Sequence, residues 1–271
     1  MRCLNWRTNV RNKPFEGLAG TGALSAALLL TMPSQAAGHL TAEQVRAAVS
    51  NMPTNKVDLS NKDMSGDDLT GLDLSGANLT HADLSGADLH GVKLVGADLT
   101  EADLTKADLT GTWIMKANFN RAKLHGATLQ VVITSEAMDN QRETAASFVG
   151  ADLSDTFATV HFSYDDMRGA NFTGTRMSVV LANQSMGILR SEFKGANLDG
   201  ANFTDAGLGH ITFEFAKLND ANFRGADLTR ADFTGADLTN ADFTGAKLDH
   251  TTFEQATLRG VTGLAEAGGP K

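Results

Sequence analysis

Aspartates and histidines are the residues of this 271-residue chain best equipped for chemistry. Asp63, Asp68, Asp83, Asp88, Asp103 and Asp108 each precede a large apolar residue at a fixed beat. Two carboxylates act as general acid and base only when their surroundings push their pKa values apart. A repeat generates carboxylate pairs automatically, so their presence nominates neither an acid nor a base. The seven histidines are His39, His81, His90, His125, His161, His210 and His250. Metal ligands must converge within a few ångströms, and these are scattered. The one thiol, Cys3, excludes a disulfide framework and a multi-cysteine cluster. The chain has no Gly-x-Ser-x-Gly elbow, no phosphate-binding loop and no His-Glu-x-x-His. The residues therefore predict no catalytic site, no cofactor and no metal.

The elements that carry these side chains follow an unusual rhythm. Every fifth residue from Leu59 to Leu129 is apolar: leucine throughout, except Met64, Ile114 and Phe119. Two residues earlier stands a small residue, as at Ala77, Ala82, Ala87, Ala97, Ala102 and Ala107. A second run alternates Phe and Leu strictly from Phe193 to Leu258. Between them lies a shorter run: Phe157, Phe162, Met167, Phe172 and Met177. A period of five suits neither a helix nor a flat alternating strand. It suits a coil of short faces joined at corners, with the small and large residues inward and glycine at tight bends such as Gly76, Gly86 and Gly96.

The unit Ala-Asp/Asn-Leu-x-x, as in Ala87-Asp88-Leu89, resembles the pentapeptide-repeat family over about residues 57–262. The resemblance implies an all-β fold, a right-handed quadrilateral (four-sided) parallel β-helix with four pentads per coil. On such a coil the Phe/Leu alternation stacks Phe on Phe along two opposite faces. His210 and His250 would share a column with Arg230 between them, and His81 would stack beneath Glu101 and Arg121, neither of them a metal site. A filled helix of this kind has no internal pocket.

The chain divides into four parts. Residues 1–36 read as a secretory signal peptide. A basic start (Arg2, Arg7, Arg11, Lys13) precedes an apolar run from Leu18 to Met32, with cleavage expected after Ala36. The run is too short to span a bilayer, so no stable membrane span is expected after cleavage. Residues 37–56 hold a short capping helix and linker, with Thr41 and Gln44 as a capping box and Leu40, Val45, Ala48 and Val49 as its apolar stripe. The repeat fills 57–262, interrupted near 130–147 and 178–187, and 263–271 is a tail. The first interruption reads as a projecting loop more readily than as a degenerate coil; the second needs only a one-residue bulge.

Function must then lie on the exterior. The net charge of −9 argues against direct nucleic-acid binding. Without the signal peptide, nineteen bases face thirty-one acids. The expected role is an exported scaffold, periplasmic or secreted, that binds an unidentified protein partner. The candidate surface is one column of Asp63, Asp83 and Asp103 beside another of Asp68, Asp88 and Asp108. The candidate recognition loop holds Ser135, Glu136, Asp139, Arg142 and Glu143. The C-terminal coil offers an open edge through which a homodimer could form. The alternative, drawn from the family resemblance, is a DNA mimic that binds a type II topoisomerase, inhibiting gyrase or protecting it from quinolones. Residues 57–110 favour it with eleven acids against three bases, a linear charge density close to that of duplex DNA. A flat ice-binding lattice is disfavoured by mixed columns such as Thr70, His90, Thr110 and Gln130.

Overall fold

A computed structural model describes residues 38–51, 57–132, 134, 142–177 and 191–264. The pentad Ala82-Asp83-Leu84-Ser85-Gly86 shows why the period is five, because all five of its N–H groups find acceptors. Ala82 donates to Leu79 O at 3.1 Å, closing a turn, and Asp83 donates to Lys62 O of the preceding coil at 2.8 Å. Leu84 and Gly86 donate to Asp103 O and Thr105 O of the following coil at 2.7 and 2.8 Å. Ser85 donates to the Asp83 side chain at 2.9 Å. Buried backbone groups must be paired, and this pattern pairs them without long strands.

Each corner is a tight turn whose third residue has positive φ, as Gly86 does at 65°. Its i to i+3 bond, Ala87 N to Leu84 O at 3.0 Å, completes the type II pattern. Parallel bridges join residues twenty apart, such as Asp63 with Asp83 and Asp83 with Asp103. Four pentads therefore make one coil of a parallel β-helix. Among the described residues only β1 (Thr128–Val132) and β2 (Phe157–Val160) lengthen into strands, paired in parallel.

The interior is solid. Leu89 and Phe233 are both fully buried. Phe193, Phe213 and Phe233 stack along one face at 4.8–5.1 Å, and Phe203, Phe223 and Phe243 along another at 4.8–4.9 Å. The two ladders meet edge to face across the rod, with Phe213 and Phe223 at 5.8 Å. Offset and T-shaped pairs are the favoured aromatic geometries, and both expected ladders are present.

Before the first coil lies α1 (Ala42–Asn51), with Val45 and Ala48 buried. The Thr41 N–H bonds Gln44 Oε1 at 2.9 Å, while Gln44 N–H approaches Thr41 Oγ1 at 3.4 Å. Leu40 N donates to Asp63 O at 2.7 Å. Arg46 donates to Asp68 O and Thr70 O at 2.9 and 3.5 Å.

Two readings of the repeat are corrected. Phe157 does not point inward: it is 38 % exposed and pairs with Thr128. Ala158 lies in register with Leu129 and is buried in its place. The step from Ala158 to Phe162 is one residue short, so the inward frame changes there as well. The second interruption is not a one-residue bulge. Asp166 bridges Asn197 directly, a coil of thirty-one residues, eleven more than the regular twenty. At the first interruption Asn118 bridges Ser147, so the coil carries nine extra residues rather than a degenerate turn.

Candidate partner-binding face

The second slot of each pentad faces outward, and Asp or Asn stands there because the turn needs an acceptor. All six candidate aspartates accept the N–H two residues ahead: Ser65, Thr70, Ser85, His90, Thr105 and Thr110, each at 2.9–3.0 Å. Asparagine does the same at Asn78 and Asn171, each at 3.1 Å. Such side-chain bonds to nearby backbone fix a turn. They also fix the carboxylate, so that one oxygen serves the turn and the other faces out.

Bridges unite Asp63, Asp83 and Asp103 in one column and Asp68, Asp88 and Asp108 in the next. Basic side chains bound the first column: His39 Nδ1 lies 3.5 Å from Asp63, and Lys123 Nζ lies 3.3 Å from Asp103. Arg46 stands 3.5 Å from Asp68 at the start of the second. Thr128 then Phe157 continue that second column beyond Asp108, so the acidic ladder is three coils high. The N–H and hydroxyl of Ser65 hold the Asp63 carboxyl below its ordinary range. Thr70 does the same for Asp68, first through its side chain. Burial opposes ionisation of Asp103, but Thr105 and Lys123 outweigh it and leave that carboxyl lowered too. These groups stay ionised at neutral pH.

Ser135, Glu136 and Asp139 of the candidate loop lie outside the described residues. Arg142 and Glu143 form a single 3-10 turn, Arg142–Thr144, where the chain rejoins the rod. Thr144 O accepts from Lys116 N at 2.9 Å. Four histidines stand beside carboxylates, among them His81, which lies 3.2 Å from Glu101, a residue that Arg121 also contacts at 2.7 Å. Among the described residues no group of three His, Cys, Asp or Glu is placed to hold a metal, and no helix is long and apolar enough to cross a membrane.

Sequence reasoning missed three polar residues. Arg46 reads as one more exposed helical base, and nothing in its spacing announces its bonds to Asp68 O and Thr70 O. His39 also reaches Asp67 at 3.4 Å. Asp165 occupies an inward slot where alanine is the rule; that departure was visible in the sequence. It is 1 % exposed and accepts Ala146 N–H at 2.8 Å. Elsewhere the turn carbonyl supplies that bond, so Asp165 secures the chain as it returns from the first interruption.

A twenty-residue coil, an Asx-stapled turn and a filled interior define a repeat protein. Family models for pentapeptide repeats match residues 55–86, 82–121 and 93–130, and a pentapeptide repeat region matches 187–262. The chain belongs to the pentapeptide repeat family. Among solved structures it is similar to HetL of the cyanobacterium Nostoc, a protein involved in heterocyst differentiation regulation. The two share 23% identity over 82% of this chain and 97% of that one, with a TM-score of 0.46. A pentapeptide repeat protein of the Arabidopsis thaliana thylakoid lumen is 30% identical over 47% of this chain and 69% of its own, with a TM-score of 0.30. QnrB1, a plasmid-mediated fluoroquinolone resistance protein, is 18% identical over 72% and 92%, with a TM-score of 0.26. No curated protein matches the chain.

Proposed function

We propose that this chain is an exported, non-catalytic scaffold whose acidic columns bind a protein partner. The supporting observation is the double use of Asp63, Asp83, Asp103, Asp68, Asp88 and Asp108. Each is locked by its own turn, so the outward oxygens form a pre-set array that loses little entropy on binding. In this reading the coils form a right-handed, four-sided β-helix. α1 and Arg46 cover its N-terminal edge, and the C-terminal coil is the edge available to a second copy. The signal peptide supports a periplasmic or secreted location.

Asparagine already serves the same turns elsewhere in the rod, so changing all six aspartates to Asn removes charge and keeps the staples. Affinity capture from a periplasmic extract should recover a partner with the native protein, and the six-Asn variant should lose it while melting within a few degrees of native. Equal capture by both proteins would remove the acidic face from the account. Cell fractionation with N-terminal sequencing tests export: the mature chain should begin at Ala37, and a cytoplasmic product beginning at Met1 would refute it.

The charge density of residues 57–110 supports a second reading, a DNA mimic acting on a type II topoisomerase. A gyrase supercoiling assay tests it directly. Inhibition or drug protection by the purified protein would favour it, and no effect at micromolar protein would end it.

A further inference from the structure

Each return from an interruption is held by a polar side chain in the small inward slot of a pentad. At the first, Asp165 Oδ1 accepts the Ala146 N–H at 2.8 Å. At the second, Ser191 Oγ accepts the Val160 N–H at 3.1 Å and donates to Ala158 O at 3.3 Å. Both residues are buried. The two holds differ in one respect: a hydroxyl stays neutral, whereas a carboxyl ionises.

The surroundings of Asp165 suit only its neutral form. Asp166 bridges Ser147 of the coil before and Asn197 of the coil after, so Asp165 stands in register with Ala146 and Ala196. The large inward residues of the same three pentads, Phe148, Met167 and Leu198, are apolar and fully buried. Asp165 Oδ2 is buried without a hydrogen-bond partner. Burial pushes the carboxyl up, and the one opposing influence is the Ala146 N–H, so no charge acts on it. The nearest charged groups occupy outward slots. Asp166 pairs with Arg168 at 2.8 Å, Lys194 pairs with Glu214 at 2.8 Å, and Asp199 accepts the Asn219 N–H at 3.0 Å. Glu143 is exposed on the turn that leads into Ala146, and Tyr164 stands at the corner beside Asp165. A carboxylate in this slot has no cation to pair with and must reach water to be solvated.

We infer that Asp165 is a pH-dependent latch on the return of the first interruption: protonated, it holds Ala146 in the wall of the rod, and ionised, it turns out to water and releases Ala146 with the Arg142–Thr144 turn. The proton passes to solvent. Opening exposes the carboxyl, so the open form binds a proton more weakly than the closed form does. Rising pH therefore draws the segment open, and acid closes it. The bonds released are the Ala146 N–H to Asp165 and the Lys116 N–H to Thr144 O, 2.9 Å long when closed. Glu143 of the candidate recognition loop lies on this turn, so the latch governs how that part of the loop is presented. It depends neither on the acidic columns nor on export.

Amide hydrogen exchange of the purified protein tests this, with each rate divided by that of an unstructured chain at the same pH. Between pH 4.5 and 7.5 the protection of Ala146 and Lys116 should fall about tenfold or more, because each opening releases a proton. Val160, held by Ser191, and Leu89, whose N–H donates to Asp108 O at 2.8 Å in the regular repeat, should keep theirs. Asp165→Asn keeps an acceptor for the Ala146 N–H and cannot ionise, so its protection should stay level. Constant protection of Ala146 in the native protein, a fall shared by Val160 and Leu89, or an equal fall in Asp165→Asn would each overturn the latch. The comparison with Val160 is made within the native protein and holds whether or not Asp165→Asn folds.

Discussion

Aspartate in the second slot is a staple before it is a charge. Asp88 accepts His90 N–H at 2.9 Å, so Asp88→Ala should destabilise the protein by about 0.5–1.5 kcal/mol, whereas Asp88→Asn should stay within about 0.5 kcal/mol. Urea denaturation of the two variants measures the difference. Asp165 is the opposite case. Its Oδ2 has no hydrogen-bond partner, and burial pushes its carboxyl well above the ordinary value of 3.8. Between that value and its raised one, the folded state holds a proton that the unfolded chain releases. Its contribution is therefore complete below about pH 4 and is lost as pH rises. Asp165→Asn keeps an acceptor for Ala146 N–H and removes the titration. Its stability should fall less between pH 4.5 and 7.5 than that of the native protein. A parallel decline in both would remove Asp165 from the pH dependence.

At the scale of the element, the aromatic ladders set how a coil tolerates change. Phe223 is fully buried and stacks on Phe203 at 4.9 Å and Phe243 at 4.8 Å, with Phe213 and Phe233 edge-on at 5.8 and 5.5 Å. Phe223→Ala should cost about 3–5 kcal/mol through the cavity it leaves. Phe223→Leu should cost less, since Leu84 and Leu104 fill the same face in the N-terminal coils. Phe157→Ala, an outward change, should stay within about 0.5 kcal/mol. Melting of the three variants in one buffer would show whether the order holds. The sequence made both ladders legible because the alternation of Phe and Leu has twice the period of the pentad. It made Phe157 misleading because residue type alone cannot show that Ala158 pairs with Leu129 one position later.

The whole rod depends on how many residues each coil consumes. A hydrophobic beat of five is read modulo five, so an eleven-residue insertion and a one-residue bulge leave the same mark in the sequence. Only the bridges Asp166 with Asn197 and Asn118 with Ser147 separate the cases. The acidic columns were legible for the same reason that the coil was: a twenty-residue turn aligns Asp63 with Asp83 and Asp103. Their bounds were not, because His39 and Arg46 reach them from outside the repeat.

Distance measurement by pulsed electron paramagnetic resonance tests the coil directly. With Cys3→Ser, spin labels on Thr80→Cys and Thr239→Cys would sit in equivalent slots of one face, seven coils apart. The expected backbone separation is about 34 Å, with a narrow distribution. A separation near 38 Å, matching an uninterrupted twenty-residue coil, or a broad spread with no dominant distance, would contradict the rod described here.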